Sequence, residues 1–298
     1  NVGEISNKGI EIALNLTPIR TKEVEWDLGV TFSKNWSKVN KLWNEGDKPV
    51  TEYVLKTAYS ANFVAKVGEP LGIFQVPALA TVQDENSPYY GKVIVDANGI
   101  PTTSNSEMKT IGSSAPDFNM GFNTRVSYKG FTLSAVADWR KGGYMYSYTA
   151  QLMHFVGNTT RSLFNNREPF VVPNSVIALK DGGYAENNRP VTSDNMSSYY
   201  SDSYSDSQFE NFIIPKGYVK LRELVLSYSF PKAWISKLGI QQLDLSLIGR
   251  NLFMWTPKAN NYVDPETTTF GNDIASELGE FAALPSTRNI GGGIKVVF

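Results

Sequence analysis

Apolar and polar residues alternate with period two along segments much longer than an ordinary strand. Ile10, Ile12, Leu14 and Leu16 alternate with Glu11, Ala13, Asn15 and Thr17. Val24, Trp26, Leu28, Val30, Phe32 and Trp36 share one face of the next segment, with Lys34 as its one break. The same pattern runs through Phe118–Tyr128 and Phe131–Trp139, and again through Tyr218–Phe230, Leu243–Phe253 and Arg288–Phe298. Period two is the signature of a strand with unlike faces. Seven such strands are predicted, several reaching about twice the ~5–6 residues usual in soluble sheets.

The links between them alternate in length. Pro18–Glu23, Lys129–Gly130 and Pro231–Ile240 are short, whereas 38–116 and 142–217 are long and 256–285 is intermediate. In an antiparallel meander this gathers every short turn at one end and every long loop at the other, as transmembrane barrels do. Trp26 and Trp36 stand ten residues apart on one face, as do Phe118 and Tyr128, and Tyr218 and Tyr228. At a strand's rise this is roughly 33 Å, which a tilt of ~40° projects to about 25 Å, the height of the apolar band between two aromatic girdles.

One strand breaks phase. The parity that sets Leu224, Leu226, Tyr228 and Phe230 outward also sets Lys220 and Arg222 outward. Either these cations lie at the outer headgroup level, or a bulge near Arg222–Glu223 switches the face. The bulge is favoured because Val219 and Leu221 then turn outward.

Composition removes several alternatives. No run of roughly 18 apolar residues could form a membrane helix. The net charge is −1 and the chain has no cysteine. Nothing therefore calls for a nucleic acid, a disulfide framework or a thiolate metal site. With His154 as the single histidine and no acid and nucleophile grouped with it, no catalytic role and no cofactor is expected. No basic-then-apolar leader is present, and Asn1–Gly9 reads as the run into a strand, so the sequence is expected to begin inside a longer polypeptide.

Short stretches in order along the chain carry a family resemblance. They include Asn7-Lys-Gly-Ile-Glu-Ile, Val67-Gly-Glu-Pro-Leu-Gly, Tyr90-Gly-Lys-Val-Ile-Val-Asp, Ile111-Gly, Pro116-Asp-Phe and Tyr128-Lys-Gly-Phe. Tyr218-Val-Lys-Leu-Arg-Glu-Leu, Gly249-Arg-Asn-Leu-Phe, Val263-Asp-Pro-Glu, Pro285-Ser-Thr-Arg and the terminal Phe298 follow. Together they resemble the C-terminal third of SusC-type TonB-dependent outer-membrane transporters of the Bacteroidetes. The resemblance implies that residues 1–298 are the last strands of a 22-stranded antiparallel transmembrane β-barrel, an all-β fold. It also implies a plug and earlier barrel strands outside this sequence, a SusD-type surface lipoprotein as lid, the TonB complex, and oligosaccharide or peptide cargo. A soluble glycan-binding β-sandwich and an adhesin-like structural barrel are the alternatives; a sandwich should have shorter strands and need no detergent.

Candidate contact residues for cargo or lid are the loop aromatics Tyr199, Tyr200, Tyr204, Trp255 and Tyr262, which combine an apolar face with a polar tip. Asp264 and Glu266 offer carboxylates suited to calcium, although an Asx-type turn before Pro265 explains them first. Asp27, Arg125, Asp138, Asp244 and Arg250 fall on the inward face and read as a polar wall toward the plug. Phe298, after alternating apolar residues, is the expected barrel-assembly signal. Gly291–Gly293 reads as a place of strand curvature or close approach, and Ser197–Ser207 as an exposed tip.

Overall fold

The computed structural model describes residues 3–200, 206–272 and 274–298. Each alternating segment is a strand: β1 (Glu4–Arg20), β2 (Val24–Lys41), β3 (Phe118–Tyr128), β4 (Phe131–Lys141), β5 (Tyr218–Ser229), β6 (Gln242–Trp255) and β7 (Asn289–Val297). They form one seven-stranded sheet in strict sequence order, every pair antiparallel. The first two strands, at 17 and 18 residues, exceed the stretch in which their apolar alternation was legible. No helix among the described residues is long and apolar enough to cross a membrane.

The three short links lie at one end. The β3–β4 turn is Lys129–Gly130, with φ of 46° and 88°, the left-handed pair that a two-residue hairpin turn requires. A Cβ on Gly130 would stand 2.8 Å from the Ser229 carbonyl of β5, so both conformation and packing call for glycine. β5 and β6 are joined through short helical turns at Lys232–Ile235 and Ser236–Leu238.

The phase break of β5 is a bulge. Val136 and Ala137 of β4 face Glu223 and Leu221, so Arg222 is the extra residue. On the other side Leu221 and Glu223 face Phe253 and Arg250, and Asn251 takes a φ of 52° to absorb the mismatch. Val219 and Leu221 consequently join Trp139 and Ala137 on the outward face, while Tyr218 and Lys220 turn inward and are buried. This corrects the expected aromatic pairing of Tyr218 with Tyr228, because the two lie on opposite faces. The other two pairs keep one face.

Aromatic rings mark both ends of that outward face. At the loop end Phe118 packs on Phe32 at 5.7 Å and edge-on to Trp139 at 4.9 Å. At the turn end Phe131 lies 4.5 Å from Tyr228, which meets Phe230 at 4.9 Å. Lys34 stays on the outward face with its ammonium 5.0 Å from the Trp36 ring, an arrangement that lets its apolar stem cover the surface while the charge rides at the edge.

The long loops hold nearly all the buried apolar side chains. Among the described residues the seven strands add only Val39 and Tyr218 to that set. Residues 42–117 include a four-stranded antiparallel sheet of Glu52–Ala58, Ala61–Lys66, Ile73–Leu79 and Thr103–Ser113. Residues 142–217 carry helix α1 (Tyr148–Phe155). Phe63 and Phe74 from the first loop, Tyr146, Phe209 and Phe212 from the second, and Leu278 from the third share one core. The three loops are thus one folded layer standing on the end of the sheet.

Candidate functional site

Two cations and three carboxylates meet where the third loop folds back over the bulge. Lys220 Nζ donates to Asp264 and to Glu266, both at 2.5 Å. Arg222, the bulged residue, donates to Glu266 through Nη1 at 2.6 Å and to Asp138 of β4 through Nη2 at 2.7 Å. The Tyr218 hydroxyl lies 2.7 Å from Glu266 and 3.1 Å from Asp138. Alternation alone would set Tyr218, Lys220 and Arg222 outward with Leu224; the bulge turns all three to the inward face, where Asp138 lies.

Burial raises the Glu266 carboxyl toward its neutral form, but hydrogen bonds from Arg222, Lys220 and Tyr218 outweigh that and bring it down to about 2. Asp264 is lowered too, with burial opposed by Lys220 and by the N–H of Glu266. That N–H donates to Asp264 Oδ1 at 3.0 Å, the Asx-turn bond across Pro265. Among the described residues no group of three or more His, Asp or Glu side chains is arranged to hold a metal ion. The two carboxylates bind the third loop to the sheet.

Further ties join the loops. Glu280 is fully buried and accepts from Ser147 Oγ at 2.5 Å, Thr149 N at 2.9 Å, Thr149 Oγ1 at 2.8 Å and Ala283 N at 3.0 Å. Four donors satisfy a charge that burial would otherwise make costly, and they fix the third loop to the first turn of α1. Lys216 pairs with Glu277 at 2.6 Å; burial lowers its pKa and Glu277 raises it in part. Arg140 donates to the Ser114 carbonyl at 2.9 Å, joining β4 to the first loop.

Beside this network lies a cavity of about 420 Å³ between the inner side of β6 and the third loop. Asn251, Asn260, Asn261, Tyr262 and Arg288 line it with amide, phenol and guanidinium groups, and Met254 adds an apolar surface. Near its Thr149 edge three rings stack, one from each loop. Tyr148 is parallel to Phe281 at 3.9 Å and to Tyr59 at 5.5 Å. Tyr59 and Phe281 are exposed, and both Tyr59 and Ala282 hold positive φ, strain that the surrounding loop layer maintains. Such a surface offers hydrogen bonds to amides or hydroxyls next to flat apolar faces.

The sequence-derived candidates disperse. Tyr262 lines the cavity and packs against Met145, Ala150 and Ile214. Tyr199 packs edge-on to Phe170 and Tyr200, and Tyr200 is buried with its hydroxyl donating to the Arg161 carbonyl at 3.1 Å. Burial raises both phenols. Tyr204 lies outside the described residues, as does the middle of the expected tip at Ser197–Ser207. Trp255 stacks on Phe253 and pairs with Val219 on the outward apolar face, which corrects its assignment to the loop surface. Phe298 follows β7 on that face and is exposed. Of the expected polar wall, Asp138 and Arg250 carry ion pairs, Asp27 accepts from Thr17, and Asp244 accepts from Gln242. Glu280 and the stacked rings had no signal in the sequence, since Ser147, Thr149 and the facing rings reach them from other loops, far along the chain.

No family model matches the chain. It is similar to TonB-dependent receptor P3 of Formosa agariphila, 24% identical over 100% of this chain and 29% of that protein. It is also similar to TonB-dependent receptor SusC of Bacteroides thetaiotaomicron, 25% identical over 78% of this chain and 21% of that protein. The chain thus spans less than a third of the length of these relatives. Among solved structures, that of the RagAB peptide transporter superposes with a TM-score of 0.64 at 19% identity, covering 99% of this chain and 30% of that one. That likeness is one of fold.

Proposed function

Because this chain belongs to the SusC-type TonB-dependent receptors, we propose that its seven strands are the C-terminal part of a 22-stranded outer-membrane barrel that imports oligosaccharides or peptides. The observation that carries this is the division of the molecule into two ends. A meander of long strands has short turns at one end and, at the other, a layered set of loops with its own core and a polar cavity. The outward face runs apolar between two aromatic rows, and the inward face carries charged pairs. A barrel wall in a bilayer needs both features. In lipid, β1 and β7 each need a further strand, since unpaired N–H and C=O groups cost several kcal/mol apiece there; the rest of the barrel supplies these, around a plug.

Import needs partners: a SusD-type lipoprotein closing over the loops, and the TonB complex acting through the plug side. Peptide cargo has the RagAB peptide transporter as its fold relative. The amide-rich cavity with Tyr262 at its wall is the surface on which cargo is held.

The test uses the full-length transporter in cells. Labelled peptide and oligosaccharide should enter only while the membrane is energised. An epitope inserted after Gly182, in an exposed loop turn, should be reachable from outside, and one at Lys129–Gly130 should not. Release of the protein without detergent, or uptake that survives de-energising, would overturn the proposal.

A further inference from the structure

The β5–β6 link differs from the other two short links in what it exposes. Its two helical turns bury Ile235 yet leave Trp234 65% and Leu238 71% exposed. A turn bathed in water on all sides gains nothing from presenting an indole and a leucine. The charges of Phe230–Gln241 are Lys232 and Lys237, with no carboxylate in that stretch, and among the described residues neither lysine is in an ion pair. Two apolar projections beside two uncompensated cations is the composition of a segment lying at the surface of an anionic bilayer.

This turn continues into a groove. Trp234 meets Phe230 at 6.4 Å, Phe230 meets Tyr228 at 4.9 Å, and Tyr228 is part of the groove wall. The groove holds about 540 Å³ on the outward face, between Leu226, Tyr228, Leu245, Leu247 and Ile294. It exists because Gly292 stands opposite Leu247, between Ile290 and Ile294, where alternation would place a third large side chain. The backbone does not demand glycine there: a Cβ on Gly292 would meet only the Ser246 carbonyl, at an ordinary 3.5 Å. The missing side chain leaves space on the surface.

We propose that the β5–β6 link and this groove form a binding site for one anionic phospholipid of the leaflet at the short-turn end. Its phosphate lies on Lys232 and Lys237, an acyl chain fills the groove over Gly292, and Trp234 and Leu238 seat the turn among the headgroups. The site holds the wall at a fixed depth. This rests on the membrane-spanning reading of the sheet.

Native mass spectrometry of the full-length transporter, taken from nanodiscs of phosphatidylglycerol and phosphatidylcholine, tests it. The protein should retain one phosphatidylglycerol in preference to phosphatidylcholine. Each lysine near an anionic surface contributes roughly fivefold, so K232Q/K237Q should weaken retention about 25-fold and abolish the preference. Gly292→Leu, with both lysines present, should release the lipid by filling the groove. All three positions are exposed, and heat-modifiable migration shows that the variants remain folded barrels. Equal retention of the two lipids, a preference that survives K232Q/K237Q, or retention of lipopolysaccharide in their place overturns the site. A protein that enters nanodiscs but fails in any of these ways loses only the lipid site, whereas one that does not enter them loses the membrane reading as well.

Discussion

Leu247 in β6 and Leu284 in the following loop are both apolar and mostly exposed, at 65% and 87%, but they belong to regions built on different terms. Leu247 sits in a wall whose strands bury almost nothing against each other and are held by an antiparallel ladder. Leu284 sits on a layer whose loops are held as a soluble domain is, by a shared core around Phe63, Phe74 and Tyr146 and by buried ion pairs. The wall inverts the usual distribution, leaving a continuous apolar face exposed. The loop layer obeys the ordinary rule of apolar inside and polar outside. The bulge at Arg222 is the joint: one extra residue turns Tyr218, Lys220 and Arg222 from the outward face to the inward one, where the two cations grip the third loop.

The strongest way to break that joint is Lys220→Ala. It leaves Asp264 buried without its cation, a loss of about 3–5 kcal/mol when one partner of a buried pair is removed. The expected outcome is selective: residues 256–288 become susceptible to limited proteolysis while the barrel keeps its heat-modifiable migration. If barrel and loops come apart in one transition, the two regions are not separate units of stability.

Arginine at the two leucines sharpens the contrast. Leu247→Arg should cost about 2–4 kcal/mol on the lipid face of a barrel. Leu284→Arg should stay within about 0.5 kcal/mol, as surface substitutions do. Folding titrations into bilayers give both numbers. Equal costs would mean that β6 does not face lipid.

The loop layer should also carry a pH dependence. His154, packed against Tyr200 and Phe212, is lowered from 6.5 to about 4 by burial and by the charge of Arg161. Unfolded, it takes up a proton at the higher pH, so its stabilising share is present above about 6.5 and is lost as the pH falls toward 4. Glu266 acts in a lower window. Its folded value of about 2 lies below the ordinary 4.5, so its share is present above about 4.5 and lost as the pH falls toward 2. Proteolysis of the loops against pH should therefore rise in two steps. His154→Phe should remove the upper step and Glu266→Gln the lower.

Much of the wall was legible in the sequence because each of its residues answers to neighbours two positions away. The alternation located all seven strands, and the charges at Lys220 and Arg222 betrayed the bulge. It failed where Arg222 reset the phase and carried Tyr218 inward, and it stopped short at Phe253, although the strand runs on to Trp255 on the same outward face. The loop layer was far less legible. Its core joins Ala58 to Phe209 and Leu278, contacts across three loops with no period to reveal them. Tyr199 and Tyr200 illustrate the cost, since their polar, repetitive neighbourhood suggested an exposed tip while their rings pack against Phe170 and each other.

The smallest effect asked for is the most discriminating, because the same kind of contact occurs in both regions. Tyr148 and Phe281 stack at 3.9 Å between two loops, and Phe131 and Tyr228 pack at 4.5 Å on adjacent strands of the wall. A double-mutant cycle on the loop pair should give a coupling of about 0.5–1.5 kcal/mol, since separating those rings returns both faces to water. The wall pair should couple by less than about 0.5 kcal/mol. Lipid tails are as apolar as the rings, so separating them replaces one set of dispersion contacts with another and recovers no hydration penalty. Cycles with alanine at both positions of each pair, read as unfolding free energies of the full-length protein in bilayers, make the comparison. Equal couplings would place water on the outward face of β4 and β5, and the division between a lipid-facing wall and a water-facing loop layer would fail at the contact where it is most directly tested.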